Sequence, residues 1–254
     1  MFFSAFWLLP VARLVALPGD KGWRTYFVVL TDARYAQSML NTLTLSLVVT
    51  AVTLVLGGAV GIYLARRRFT GRGVLISLLT LPLSFPGVIV GFFVILLGGR
   101  QGLIPSLGAS IGLSGLTFAY GLLGLFLAYL YFSLPRAIAT YAAAAESMNT
   151  QLEEAARSLG ASRLRVARDV WMPELAPTTL ACGAILFATS MGAFGTAFTL
   201  ATQINVLPLT IYNEFTNYAN FAMAASLSIV LGVITWAALA AARSLAGAGV
   251  AAAG

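Results

Sequence analysis

The sequence has little of what a water-soluble surface or a catalytic site is built from. Its 254 residues include no histidine, one cysteine and only 9% charged residues, against 59% hydrophobic residues. The mean hydropathy is +0.91. Soluble domains carry about a quarter charged residues. The chain therefore cannot cover itself with polar side chains, and we expect a lipid bilayer to be its solvent.

The missing residue types exclude several kinds of site. Without histidine the chain lacks the commonest general base and metal ligand, and the lone Cys182 provides neither a disulfide framework nor a thiolate metal cluster. No Gly-rich GxxxxGK[ST] loop occurs in the sequence, so the chain cannot bind ATP by that means. The formal charge of +7 comes from arginines between apolar runs, without the basic, aromatic-interleaved surface of a nucleic-acid-binding protein.

What the sequence does contain is a series of apolar runs. A helix needs about 20 residues to cross about 30 Å of hydrocarbon. The first run is short and lacks the positive start of a signal peptide, so we interpret it as a first span. The chain is thus predicted to be an all-α membrane protein, with a single transmembrane domain over residues 1–254. Its six predicted spans hold no acidic residue and cover 2–17, 43–64, 74–97, 116–137, 177–200 and 221–242.

The basic residues are divided unequally between the connections. Because cytosolic connections carry an excess of arginine and lysine, we predict that both termini lie in the cytosol. The cytosolic side then holds ten basic residues: Arg66, Arg67, Arg68, Arg72, Arg136, Arg157, Arg163, Arg165, Arg168 and Arg243. The other side holds five: Arg13, Lys21, Arg24, Arg34 and Arg100.

Small residues and prolines mark two of the predicted spans. Two glycine pairs four residues apart predict helix faces open to a close neighbour; they are Gly57 with Gly61 and Gly87 with Gly91. Pro82 and Pro86 predict a kink. Backbone groups freed by proline must be covered by protein or by a water-filled path, so the kink has a role in shape alone or in a solute path.

The longest polar segment covers about residues 140–175, and the arginine distribution puts it in the cytosol. Its apolar residues keep helical spacing in two groups: Leu152, Ala155 and Leu159, then Leu164, Ala167 and Trp171. Gly160 lies between the groups and is the usual residue for ending a helix. The segment therefore predicts a compact helix–turn–helix.

One motif in this segment indicates a family. The order is Glu154-Ala155-Ala156, three residues, Gly160, nine residues, then Val170-Trp171-Met172-Pro173. It resembles the EAA loop of permeases in binding-protein-dependent ABC importers, with Val170 and Met172 in place of the usual Ile and Leu. The resemblance extends over about residues 38–243 and includes Asn41-Thr42, Leu81-Pro82 and Leu207-Pro208.

The resemblance implies a type I ABC importer permease fold in a bacterial inner membrane, with a cytosolic coupling helix. It implies three partners: a cytosolic ABC ATPase dimer that binds ATP-Mg, a second permease that is a related chain or an identical copy, and an extracytoplasmic solute-binding protein. This chain itself is expected to hold no cofactor and to catalyse no reaction. The implied ATPase-docking residues are Glu153, Glu154, Ala155, Ala156, Arg157, Gly160, Ala161, Ser162 and Pro173.

Within the family the sequence looks most like the spermidine/putrescine branch, so a polyamine-type solute is expected. Ferric iron, thiamine, sulfate and phosphonate are alternatives from the same branch. A passive channel or a non-ABC carrier is a further alternative, but the spans hold no acidic residue that would mark an ion path, and the two halves show no internal repeat. A membrane-embedded enzyme lacks the paired acids or metal ligands that it would need.

The segment from Ser190 to Gly195 resembles one that reads Gly-Glu-Phe-Gly in several relatives, but Ala193 stands at the acidic position. Gly192 and Gly195 thin the helix, either for solute or for packing. Glu214 either receives a cation at the outer mouth or simply faces outside water or caps a helix. The candidate solute-path residues are Pro82, Pro86, Ser190, Gly192, Phe194, Gly195, Tyr212 and Glu214.

Overall fold

The computed structural model describes residues 2–22, 24–113, 115–202 and 204–252, and it has no strand among them. The prediction of an all-α fold is confirmed. The first α-helices are α1 (Phe2–Ala16), α2 (Arg24–Thr31), α3 (Ala33–Arg66), α4 (Arg72–Thr80), α5 (Gly87–Gly98), α6 (Leu103–Ser110) and α7 (Leu122–Ser147). The remaining ones are α8 (Thr150–Ser158), α9 (Arg163–Val166), α10 (Met172–Met191), α11 (Phe194–Leu200), α12 (Leu207–Thr216) and α13 (Phe221–Ala252).

Several helical stretches in the described part of the chain are suited to a membrane. Large apolar side chains on them are exposed, with 70% of Val55, 67% of Leu96 and 70% of Trp236 accessible, as expected for helices whose solvent is lipid. The predicted first span forms α1, whose 15 residues fall short of the about 20 needed to cross. Five stretches are long and apolar enough: Ala33–Arg66, Gly87–Ser110, Leu122–Ser147, Arg163–Met191 and Phe221–Leu245.

The predicted span over residues 74–97 is interrupted rather than kinked. After α4 the chain forms a 3-10 turn at Leu81–Ser84, and Phe85 is extended before α5 begins at Gly87. Pro86 causes the interruption, because proline has no N–H to donate and disfavours helical backbone at the residue before it. The predicted span over 177–200 is likewise two helices, α10 and α11.

The chain forms two compact units. Unit 1 comprises the residues up to Leu47 together with Pro86–Tyr129 and Thr189–Ala237. Its core contains Val29, Tyr35, Leu207, Met223 and Leu227. Within this unit α5 packs closely on α11, since a Cβ at Gly87 would lie 3.3 Å from the Thr196 nitrogen and one at Gly91 would overlap Thr199. The second glycine pair thus has the close neighbour that its spacing predicts.

Unit 2 comprises Val48–Phe85, Leu130–Ala188 and the residues from Ala238 onwards. The first glycine pair lies here against α7. A Cβ at Gly57 would lie 2.5 Å from that of Ala137, and one at Gly61 would lie 2.7 Å from the Ile138 carbonyl oxygen. The core of this unit contains Tyr141, Ala145, Met148 and Leu175, with Cys182 in a smaller cluster beside Ala137 and Leu186.

Candidate coupling loop and solute path

The first arm of the EAA segment is the short helix α8. The Asn149 side chain caps it by accepting a hydrogen bond from the Gln151 N–H at 2.9 Å. At the other end Gly160 adopts a φ of +80°, and Ala161 N–H donates to the Ala156 carbonyl at 3.0 Å. This arrangement is a Schellman ending, which glycine accommodates without strain. The predicted turn at Gly160 is therefore confirmed.

The second arm is not the separate short helix that the sequence predicts. Ser162 caps α9 by accepting from the Arg165 N–H at 3.4 Å. After four residues the chain passes into a π-helical segment, Ala167–Trp171, and directly on into α10. The second arm is thus the start of a long helix. The first part of the predicted loop segment, residues 140–147, is the end of α7.

The EAA segment presents an apolar face to its surroundings. Leu159 is 89% exposed, Leu164 is 80% exposed and Leu152 is 54% exposed. Exposed leucines between polar residues are typical of a surface that meets a partner. The sequence analysis did not include Leu159 and Leu164 among the docking residues, although their apolar character within a polar segment was an available signal. Of the predicted docking residues, those exposed beside this face are Glu154, Ala155, Arg157, Gly160, Ser162 and Pro173.

Glu153 faces the interior of the loop. Its side chain is only 13% exposed and forms ion pairs with Arg66 at 3.2 Å and Arg157 at 2.8 Å. It also accepts a hydrogen bond from the Trp171 indole N–H at 3.2 Å. Ala156 and Ala161 are half-buried as well. The docking residues that the motif predicts are thus brought together in one loop, but only part of them lies on its surface.

The predicted solute-path residues fall in both units, with Pro82 in unit 2 and the others in unit 1. The helical conformation is interrupted between α10 and α11 at Gly192 and Ala193. There the Tyr129 hydroxyl donates a hydrogen bond to the Ala193 carbonyl at 2.9 Å. Ser190 is fully buried just before this break, and its hydroxyl has no partner among the described residues. Ala193, which stands where several relatives carry a glutamate, therefore lies at this interruption between two helices.

Three of the solute-path residues line one cavity of unit 1. The cavity has a volume of about 530 Å³, and Gly192, Phe194 and Tyr212 contribute to its walls. The Phe194 and Tyr212 rings lie 5.3 Å apart, and Phe198 lies 5.6 Å from Tyr212. The walls are almost entirely apolar and aromatic, so this cavity offers little to a charged solute.

Glu214 is buried, with 2% of the residue exposed. Its carboxylate accepts hydrogen bonds from the Tyr35 hydroxyl at 2.9 Å and from the Asn220 amide at 3.0 Å. Arg34 lies 3.7 Å from it and stacks over the Tyr218 ring at 5.2 Å. The carboxylate therefore does not face outside water, which was one of the sequence interpretations. Its predicted roles in capping a helix or receiving a cation stay predictions.

The hydrogen bond between Tyr35 and Glu214 is one of a series of hydrogen bonds that joins the start of α3 to α12 and to the segment just before it. The α3 side chains in this series are three to four residues apart, so they share a helix face. Sequence reasoning missed this series, although hydroxyls at that spacing on α3 were a signal. Its other members are Ser38 with Thr210 at 2.7 Å, Asn41 with the Asn205 carbonyl at 3.0 Å, and Thr42 with the Leu207 N–H at 2.7 Å.

The described residues contain no group of three or more histidine, cysteine or acidic side chains that would hold a metal ion. The buried polar groups are instead hydroxyls on helices and the Glu214 cluster. The arrangement suits a membrane subunit with an exposed loop for a partner.

Comparison with known proteins identifies the class. The family described as "Binding-protein-dependent transport system inner membrane component" matches residues 57–247. The chain belongs to this family. It is a multi-pass inner-membrane permease subunit of a binding-protein-dependent ABC importer, and a transport subunit rather than an enzyme.

Two individual relatives are permeases of transport systems with a named solute. The chain is 29% identical over 235 residues to the sulfate transport system permease protein CysT of Salmonella typhimurium, covering 91% of this chain and 84% of that protein. It is 31% identical over 207 residues to the molybdenum transport system permease protein ModB of Escherichia coli K12, covering 80% of this chain and 89% of ModB. These relatives correct the expected polyamine branch, because they are sulfate and molybdenum permeases.

Solved structures agree on the fold. A bacterial alginate ABC transporter, in complex with an alginate pentasaccharide-bound periplasmic protein, matches with a TM-score of 0.80 at 18% identity, covering 96% of this chain and 89% of that one. The MetNI methionine ABC transporter in an inward-facing conformation matches with a TM-score of 0.64 at 19% identity, covering 84% and 95%. The predicted type I importer permease fold is therefore confirmed.

Proposed function

We propose that the chain is the permease subunit of an importer for a tetrahedral oxyanion of the sulfate or molybdate kind. The observation that carries the proposal is the similarity to CysT and ModB along most of the chain. Sulfate, one of the alternatives that the family resemblance left open, thus replaces a polyamine as the proposed solute. Sulfate and molybdate are dianions of the same shape, so one type of path would serve either.

The polar groups of unit 1 are compatible with an anion. Glu214 is the one acid among the candidate solute-path residues, and it is bonded to Tyr35 and Asn220 beside Arg34. The nearby Arg34 guanidinium offsets part of this negative charge, and the two hydrogen bonds hold the carboxylate within its own cluster. Hydroxyls donate hydrogen bonds to oxyanions, and those of Ser46 and Ser190 are buried without a partner in the described part of the chain. These two serines are our candidates for transient solute contacts.

In this proposal the exposed face of the EAA segment docks onto the ATPase. Leu159 and Leu164 would fill an apolar groove of the partner, and the exposed Glu154 and Arg157 would make polar contacts at its edge. The loop then lies in the cytosol, in keeping with the excess of arginines around it. Two permeases, an ATPase dimer that binds ATP-Mg and an extracytoplasmic binding protein make up the proposed complex.

Uptake by the reconstituted complex tests the proposal. The permease, its ATPase and its binding protein would be placed in proteoliposomes, and uptake of labelled sulfate, molybdate and putrescine would be measured with and without ATP inside. We expect ATP-dependent uptake of sulfate or molybdate and none of putrescine. Uptake of putrescine alone would overturn the oxyanion assignment, and uptake that does not depend on ATP would indicate a passive channel.

A further inference from the structure

The Arg66 guanidinium links the end of α3 to the EAA segment. Arg66 is the last residue of α3, and its side chain is only 25% exposed. Its guanidinium lies 3.2 Å from the Glu153 carboxylate and 5.5 Å from the centre of the Trp171 ring. One terminal nitrogen lies 3.9 Å from the Met148 sulfur. Arg66 is thus enclosed by side chains from both arms of the loop.

Glu153 joins the elements of this cluster. One of its carboxylate oxygens meets Arg66 and the Trp171 indole N–H, and the other meets Arg157 one turn further along α8. The carboxylate therefore touches α8, the end of α3 and the π-helical segment that leads into α10. Among the described residues of the loop, it is the acid that links all three.

The cluster is too buried to be an ordinary surface ion pair. Exposed pairs contribute little because water and salt screen them, but Glu153 is 13% exposed. The Arg66 Nε is buried without a partner in the described part of the chain. Neutralising Glu153 would leave a partly buried cation with one fewer partner, and breaking such a pair is far more disruptive than removing both members.

We propose that Glu153 is the positioning residue that transmits movement of α8 to α3 and α10. This rests on the proposed function, in which the ATPase pushes on α8 through the exposed face. A push on a docked helix reaches the membrane only through contacts that do not yield, and the Glu153 cluster provides them. Glu153 and Glu154 then differ in role although they are adjacent, since Glu154 is exposed and faces the partner.

The test uses the assembled complex of permease, ATPase and binding protein. In Glu153→Gln and Arg66→Met, we expect the ATPase to co-purify as with wild type. We expect the maximal stimulation of ATP hydrolysis by loaded binding protein to fall about fivefold or more, the lower end of typical coupling between sites. The concentration of binding protein for half-maximal stimulation should not change. The double variant should lose no more than the worse single variant, because both substitutions break one contact.

Glu146→Gln is the matched control, because Glu146 forms an ion pair with Arg72 at 2.6 Å in the same unit but lies outside α8. This variant should keep the wild-type stimulation of ATP hydrolysis. Unchanged stimulation in Glu153→Gln would overturn the proposal. Loss of the ATPase from the Glu153→Gln complex would also overturn it, because Glu153 would then act in docking. Failure of the oxyanion assignment is read separately, from solute uptake by the wild-type complex.

Discussion

Replacement of Glu214 by glutamine distinguishes a role in folding from a role in transport. The carboxylate accepts one hydrogen bond from Tyr35 and one from Asn220 in a buried site. A hydrogen bond to a charged group contributes about 1.5–3 kcal/mol, against about 1 kcal/mol for a neutral one. The Arg34 pair contributes little more, because Arg34 is 44% exposed and water screens it.

Glutamine keeps an acceptor for one of the two donors and presents an amide N–H₂ to the other. We therefore expect Glu214→Gln to lower the free energy of unfolding by about 2 kcal/mol. For a chain of this size each kcal/mol shifts the thermal midpoint by about 2–4 °C, which a melting curve of the purified permease in detergent would resolve. Glu154→Gln, at an exposed position, is the control and should melt within about 0.5 kcal/mol of wild type.

Uptake by the assembled complex completes the comparison. If Glu214 stabilises the fold, uptake should fall only in proportion to the amount of assembled permease. A Glu214→Gln variant that melts like wild type yet imports solute more slowly would refute this reasoning. That result would return Glu214 to the solute path.

Three further predictions concern separate parts of the chain. Gly61→Ala should destabilise the purified permease by about 1–3 kcal/mol, because the added methyl group meets the α7 backbone. Gly73→Ala, which has open space around the added methyl group, should not destabilise it. Equal melting of the two variants would contradict the packing argument. Gly160→Val should weaken ATPase co-purification more than Gly160→Asn, since asparagine tolerates positive φ better; equal loss would exclude a backbone cause. Ser162→Cys should resist an impermeant thiol reagent added outside intact cells while Gln101→Cys reacts, and the reverse pattern would invert the topology.

The sequence predicted the helical elements whose signal is local. Hydropathy located the stretches that include residues 43–64, 122–137 and 221–242, and Gly160 located the turn of the EAA segment. Hydropathy placed the start of the second span at residue 43, although α3 begins at Ala33. The polar residues between these points lie outside the predicted span. They form helix because Ser38 and Thr42 bond to α12, and a composition scan does not detect contacts with so distant a segment.

The surroundings of the acidic residues were predicted least well. Glu214 and Tyr35 are 179 residues apart in sequence, and no local pattern relates them. Glu153 and Glu154 are adjacent and chemically alike, yet one is enclosed and the other exposed. Which of them turns inward depends on Arg66 and Trp171, which come from other elements. The motif identified the loop, but the direction of each side chain required the fold.

The π-helical segment Ala167–Trp171 sets how the EAA segment is rotated about the helix axis relative to α10. A π turn holds about one residue more than an α turn, and one residue corresponds to about 100° around a helix axis. Deleting one residue there would leave hydropathy and charge almost unchanged, yet it would rotate the two sides of the join relative to each other and turn the Trp171 indole away from Glu153. The nine positions between Gly160 and Val170 therefore act as a fixed length of chain, whose number of residues sets the direction of the Trp171 indole.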